Sequence, residues 1–114
     1  MKIHLIIDHP NPASFTHAAA RAFAGGLDPN KHSVDILDLN TDHFDPIMSM
    51  DELALYNTGG FLDNKVKEYQ DRLASADYLA MFFPIWWMVM PARLKGCMDK
   101  VLLPGFAFST GSKP

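Results

Sequence analysis

The sequence holds one cysteine, no apolar run long enough to cross a bilayer, and no surplus of basic charge. Cys97 alone can close no intrachain disulfide, which fits a reducing cytoplasm. The longest apolar run, Tyr78 to Met90, falls well short of the roughly 20 residues that a spanning helix needs, and Pro84 sits in its middle. The opening run Ile3 to Ile7 stops at Asp8, too soon for a secretion signal. A soluble, cytoplasmic protein is therefore expected. Ten Lys and Arg stand against 13 Asp and Glu, a formal charge of −3. The basic residues are scattered rather than striped, so no nucleic-acid partner is expected. No G-x-G-x-x-G follows the first apolar run, which removes the fingerprint of nicotinamide-dinucleotide folds. His17, His32 and His43 show no ligand spacing with acidic neighbours, and no metal site is expected.

What is present reads as one domain, residues 1–114, with ordinary globular composition: 48% apolar and 20% charged. Ile3 to Ile7 is a compact β-branched run bounded by Asp8, His9, Pro10, Asn11 and Pro12, hence a strand entering a loop. Ser14 offers an N-cap hydroxyl, and Phe15, Ala18, Ala19, Ala22, Phe23 and Leu27 recur at helical steps behind it. Val34, Ile36 and Leu39 form a second strand beside acidic Asp35 and Asp38. Ser49 with Glu52 is a capping box that opens a short helix at Met50 to Tyr56. A longer helix carries Leu62, Val66, Tyr69 and Leu73 on one face. Tyr78 to Phe83 is continuously apolar, the pattern of a parallel strand buried on both faces. Pro91 starts a last helix striped by Leu94, Met98, Val101 and Leu102, in which Gly96 permits close approach to a neighbour.

Strand and helix alternate, which argues for a parallel α/β sheet with right-handed crossovers. If the third strand lies beyond the first, the strand order is 2-1-3. Ligands bind outside the carboxyl ends of strands where such a sheet changes direction. The loop Asp8 to Ser14 and the loop Pro84 to Met90 both fall there.

Those two loops differ in chemistry. The first ends at a helix start with hydroxyls at Ser14 and Thr16 and a histidine at His9; free N–H groups and the helix dipole favour a phosphate there. The plain reading of Ser14 is a cap and nothing more. The second loop carries Trp86, Trp87, Met88 and Met90 where loops are normally polar. Packing on a neighbouring helix or a second subunit is the simpler reading from spacing alone. An isoalloxazine ring, which needs flat apolar support and N–H donors, is the reading that uses both loops.

The run FFPIWWMVMPARLKGCMDKVLLPGFAF resembles the signature of the flavodoxin-like NAD(P)H:quinone oxidoreductases. IIDHPNPASFTHA resembles the same family's flavin phosphate loop, and FDPIMS its connection after the second strand. The resemblance covers nearly the whole chain. It implies a flavodoxin-like three-layer sandwich holding FAD, with FMN the alternative. It also implies hydride transfer from NAD(P)H through flavin N5 to a quinone, two electrons together. By the same resemblance His9, Ser14, Phe15 and Thr16 hold the flavin's phosphate and ribitol. Pro84, Ile85, Trp86, Trp87 and Met88 meet its ring system, and Phe106 and Phe108 wall the pocket shared by nicotinamide and quinone. A homodimer is implied too.

The departure lies at the other end. Members of that family continue with two further strands and another flavin-contacting loop, which in related quinone reductases brings a Tyr and a His to assist the transfer. This chain stops at Pro114, so a C-terminally truncated domain is expected, with no catalytic residue of its own and a third strand left as an edge. A non-catalytic ancillary subunit of the same fold, gating a membrane transporter, is the competing reading. A phosphoryl-accepting receiver domain shares the strand order, but it needs an acidic residue where Pro84 stands. Cys97, on a helix stripe without a base nearby, reads as a buried hydrophobe. His4 reads as a packed or surface-tipped strand residue, and Asp35, Asp38, Asp42 and Asp45 as a solvated acidic rim.

Overall fold

A computed structural model describes residues 1–109. The elements run β1 (Lys2–Ile7), α1 (Phe15–Gly25), β2 (Ser33–Asp38), α2 (Met50–Leu55) with a 3-10 turn Tyr56–Thr58, α3 (Asn64–Ala74), β3 (Tyr78–Phe82) and α4 (Ala92–Val101). The sheet is parallel throughout, in the order β2-β1-β3. This is the order expected if the third strand lies beyond the first. It puts β1 at the centre, where Ile3 to Ile7 are buried without a break.

Successive strand side chains face opposite ways, so the β1 residues divide between two cores. Ile6 packs with Leu37, Leu39, Phe44, Val66, Tyr69, Leu94, Cys97, Val101 and Leu103, the main core. Leu5 and Ile7 meet Ala20 of α1 in a smaller one on the other face. In the main core Gly96 lies against the chain at Pro46: a Cβ there would stand 2.2 Å from the Pro46 carbonyl oxygen. The long connection after β2 is held by a buried lysine. Lys100 Nζ donates to the carbonyls of Asp45 and Ile47 and pairs with Glu52 at 3.2 Å. Glu52 also completes the capping box with Ser49.

Several local expectations are corrected. The buried side of α1 is only partly the stripe Phe15, Ala18, Ala19, Ala22, Phe23 and Leu27: Ala19, and Leu27 past the helix end, are part-buried, but Ala20 is the buried residue, Thr16 and Ala24 are part-buried, and Phe15 is 86% exposed. An alanine-rich helix has little contrast between its faces, so periodicity could not choose. β3 ends at Phe82 and is exposed at Tyr78, Leu79 and Met81 because, among the described residues, nothing pairs with its outer edge. An exposed edge at the third strand is what the sequence leads one to expect. Pro91 is the N-cap of α4 rather than its first helical residue, and Leu62 lies exposed ahead of α3. In α3, polar Gln70 is buried and donates from Nε2 to the Val101 carbonyl at 3.0 Å.

The acidic residues are more than a solvated rim: Asp35, Asp38 and Asp42 are part-buried and paired, and Asp45 alone of the four is exposed. Arg72 of α3 donates from Nε and Nη2 to the two Asp35 oxygens at 3.0 and 2.8 Å. Asp35 also faces His4, its register partner on β1, with 3.0 Å to Nδ1. His4 is fully buried, and burial holds its pKa down. Asp42 accepts from the Tyr69 hydroxyl and pairs with Lys65. The Asp45 carboxylate accepts from the Ile47 N–H at 3.0 Å.

Candidate functional site

The carboxyl ends of all three strands point to one end of the sheet, and the loops that follow β1 and β3 meet there. Asp8, the first residue past β1, joins them. Its N–H donates to the Phe82 carbonyl at 3.1 Å, and its Oδ2 accepts from the Leu94 N–H at 2.9 Å. One buried carboxylate therefore caps α4 from the end of the central strand. Burial pushes the Asp8 carboxyl pKa up, although the Leu94 N–H and the Arg93 charge pull the other way.

Beyond Asp8 the chain turns through proline-flanked residues into α1. Asn11 N–H donates to His9 Nδ1 at 3.0 Å, and Ala13 N–H to Asn11 Oδ1 at 2.9 Å. Ser14 caps α1: its Oγ accepts from the His17 N–H at 3.2 Å. The N–H groups of Phe15 and Thr16 lie in the first turn, ahead of any helical carbonyl partner.

The loop after β3 is a tight hairpin. Trp86 and Val89 exchange backbone hydrogen bonds of 3.0 and 3.2 Å. Between them Trp87 and Met88 both have positive φ, 50° and 65°. Two-residue hairpins of this hand normally take Asn or Gly at such positions. A side chain with a Cβ costs roughly 1 kcal/mol or more at each. Both side chains are exposed, Trp87 at 91% and Met88 at 86%.

The two loops touch through aromatic rings. His9 lies edge-on to Trp86 with 5.9 Å between centroids, and to His17 at 6.3 Å. Phe15, Thr16, Ala19, Met81, Phe82, Phe83 and Ile85 line an apolar concavity of about 280 Å³ beside them. His9, Ser14, Phe15, Thr16, Ile85, Trp86, Trp87 and Met88 thus gather at one end of the sheet, with Pro84 half-buried at the start of the hairpin loop. Phe106 and Phe108 are elsewhere. They line a separate concavity of about 440 Å³ with Asn57, Thr58, Pro104, Gly105, Ala107 and Ser109. Cys97 is buried, and burial raises its thiol pKa to about 12, which leaves it inert as a nucleophile.

Three residues of this end have partners that the sequence does not show. In the sequence Asp8 reads as the stop of a strand and the start of the loop at the switch point, His17 as a histidine without metal-ligand spacing, and Asp38 as a charge beside the second strand and on an acidic rim. His17 in fact sits between Ser14 Oγ and Asp38, 3.0 Å from one and 3.3 Å from the other. A polar residue directly after a buried strand was the available signal for Asp8; the His17–Asp38 contact joins separate elements and left none.

Comparison with known proteins gives the site its context. The family described by a flavodoxin-like fold matches residues 1–114. An uncharacterised NAD(P)H oxidoreductase of Haemophilus influenzae is 38% identical over 109 residues, 94% of this chain and 54% of that protein. Ribosyldihydronicotinamide dehydrogenase [quinone] of Rattus norvegicus is 31% identical, covering 94% of this chain and 53% of the relative. Among solved structures, the NAD(P)H:quinone oxidoreductase of Methanothermobacter marburgensis superposes with a TM-score of 0.84 at 30% identity, over 94% of this chain and 55% of that one. The chain spans about half the length of the relatives it matches. On a match along its whole length, it belongs to the flavodoxin-like fold family, beside relatives named as NAD(P)H oxidoreductases and quinone reductases.

Proposed function

We propose that the chain forms the flavin-holding part of an NAD(P)H:quinone oxidoreductase. One observation carries this reading: the phosphate-type helix start and the strained tryptophan hairpin lie side by side, with His9 and Trp86 in ring contact. The residues present fit a flavin nucleotide at both ends. The Phe15 and Thr16 N–H groups and the Ser14 hydroxyl would hold its phosphate, helped by the positive end of the α1 dipole. Ile85, Trp86 and Met88 offer an apolar shelf, and the Trp87 and Met88 backbone N–H groups, which have no part in the Trp86–Val89 bonds, are donors for ring carbonyls. Strain maintained in exposed apolar residues supports a binding role, since the free chain gains nothing from it.

The bound flavin would accept two electrons from NAD(P)H and pass them to a quinone. The chain's own residues bind and orient. Asp8 fixes α4 and the end of β3 against β1, so the hairpin and the phosphate seat keep their spacing. Trp87 and Met88 would shield one face of a bound ring from water. Phe106 and Phe108 would contribute to a substrate wall in an assembled homodimer, the state this reading expects, in the cytoplasm.

The test is direct. Purified chain should be yellow, or take up FAD or FMN with quenching of flavin fluorescence, and then reduce a simple benzoquinone with NADH or NADPH. A preparation that binds neither flavin sinks the proposal. Flavin bound without turnover points instead to a non-catalytic module of the same fold, such as a transporter's ancillary subunit.

A further inference from the structure

A histidine beside the phosphate seat is gripped at both ring nitrogens. His17 Nε2 lies 3.3 Å from Asp38 Oδ2, and Nδ1 lies 3.0 Å from Ser14 Oγ. A carboxylate only accepts, so Nε2 carries a hydrogen and donates to Asp38. In the neutral ring Nδ1 is then the acceptor, and the Ser14 O–H donates to it. Asp38 is itself fixed, since its Oδ1 accepts from the N–H groups of Asn40 and Thr41 at 3.0 and 3.2 Å. The hydroxyl hydrogen of Ser14 is therefore turned into the protein at the place where the start of α1 could receive an anion.

We propose that His17 is a positioning residue that couples phosphate binding at Ser14 to the uptake of one proton. This rests on the flavin reading above. A proton from solvent forms an N–H bond at Nδ1, and that N–H donates to Ser14 Oγ. The Ser14 hydroxyl hydrogen is released and donates to a phosphate oxygen. No electrons move, and both His17 contacts survive with one of them reversed. Ser14 Oγ ends fully used, accepting from the His17 N–H and from Nδ1–H while donating outward.

The other groups around the ring do not serve this role. His9, 6.3 Å away on the loop after β1, uses Nδ1 to accept from Asn11, so a proton there breaks an existing bond. Arg21, one turn along α1, lines a concavity with His17, Asp38, Leu5 and Ile7 and is permanently charged. Asp38 is the counter-charge already in contact. His17 alone gains a proton without losing a partner.

Binding of FAD to the full chain, followed by fluorescence quenching between about pH 5 and 8 where histidine changes charge, tests the coupling. FAD is the probe because its diphosphate bridge has no group that titrates in that range, whereas the FMN monoester titrates near pH ~6 by analogy with phosphoserine; FMN runs alongside. The dissociation constant should fall with pH by up to about tenfold per unit, with uptake approaching one proton by calorimetry in buffers of different ionisation heat. His17→Gln should bind with less than about a twofold change across the range, the linked group being gone. In the free wild-type chain, nitrogen NMR should find neutral His17 with its hydrogen on Nε2. Equal pH slopes in wild type and variant, or a hydrogen on Nδ1, would overturn the coupling and leave the flavin reading standing. Failure of both flavins to bind at every pH would overturn both.

Discussion

Asp8 gives the sharpest test of how this end of the fold is built, because two substitutions separate its hydrogen bond from its charge. The residue is 4% exposed and accepts from the Leu94 N–H at 2.9 Å. Asp8→Ala leaves that N–H buried with no acceptor, which costs about 1–3 kcal/mol. Asp8→Asn keeps an acceptor oxygen of the same shape and removes only the charge. Burial raises the Asp8 pKa, so the folded chain holds the proton more firmly than the unfolded one does. The sign follows: Asp8's contribution is fully present below its unfolded pKa and is lost as pH rises through the higher folded value. At neutral pH ionised Asp8 opposes folding relative to its protonated form, which Asn imitates. Asp8→Asn should therefore lie within about 1 kcal/mol of wild type, or above it, at pH 7. The gap should narrow as the pH approaches ~4. Asp8→Ala should remain low across the range. Urea midpoints at constant m-value measure this, and thermal midpoints should move by roughly 4–8 °C per kcal/mol in a chain near this size. Should Asp8→Asn lose as much as Asp8→Ala, the negative charge itself would be holding α4 and the argument would fail.

The remaining predictions concern other parts of the same frame. Gly96→Ala places a Cβ 2.2 Å from the Pro46 oxygen, forcing α4 off the connection after β2. A loss of about 1–3 kcal/mol in urea is expected, and an unchanged midpoint would contradict the close approach. Trp87→Gly relieves the φ of 50° and should raise stability by about 1 kcal/mol while weakening flavin binding about 3- to 10-fold through lost ring contact; tighter binding would refute the role of the hairpin. The Arg72 guanidinium beside Asp35 holds that carboxyl below its usual range. The stabilisation from Asp35 is therefore present above its unfolded pKa and lost as pH falls through the folded one. Arg72→Ala should flatten that acid limb and cost about 1–3 kcal/mol at neutral pH, read from urea midpoints across pH.

Much of this architecture was legible because it depends on local pattern. The β-branched run of β1, the Ser49–Glu52 box and the alternation of strand with helix each announce themselves within a few residues, and together they give the parallel α/β class; the 2-1-3 order needs the further condition that β3 lies beyond β1, which the sheet meets. Gly96 was legible as a place of close approach, though not its neighbour Pro46. What could not be read depends on contacts between distant elements. Asp35 and Arg72 meet across β2 and α3, and Lys100 crosses from α4 to the Asp45 and Ile47 carbonyls. Charged residues spaced along a sequence look solvated until the fold supplies their partners. The face of α1 was illegible for another reason: alanine on every side leaves tertiary packing to decide.

The least legible feature is the hairpin, and its illegibility is itself informative. Sequence rules assign positive φ to Gly, Asn or Asp, so Trp87 and Met88 gave no turn signal at all. A chain free to choose for stability would put small residues there and bury its tryptophans. Here the strained positions carry two of the most exposed apolar side chains of the described residues. They stand next to a helix start that lacks acidic residues in its first turn, as a seat for an anion should. Rigid support on one side and strain with exposure on the other is the division expected when a scaffold serves a flat, charged-tailed ligand. The polar contacts of Asp8, Asp35 and Lys100 hold the scaffold still, and the hairpin holds a strained conformation whose cost a bound ligand would offset.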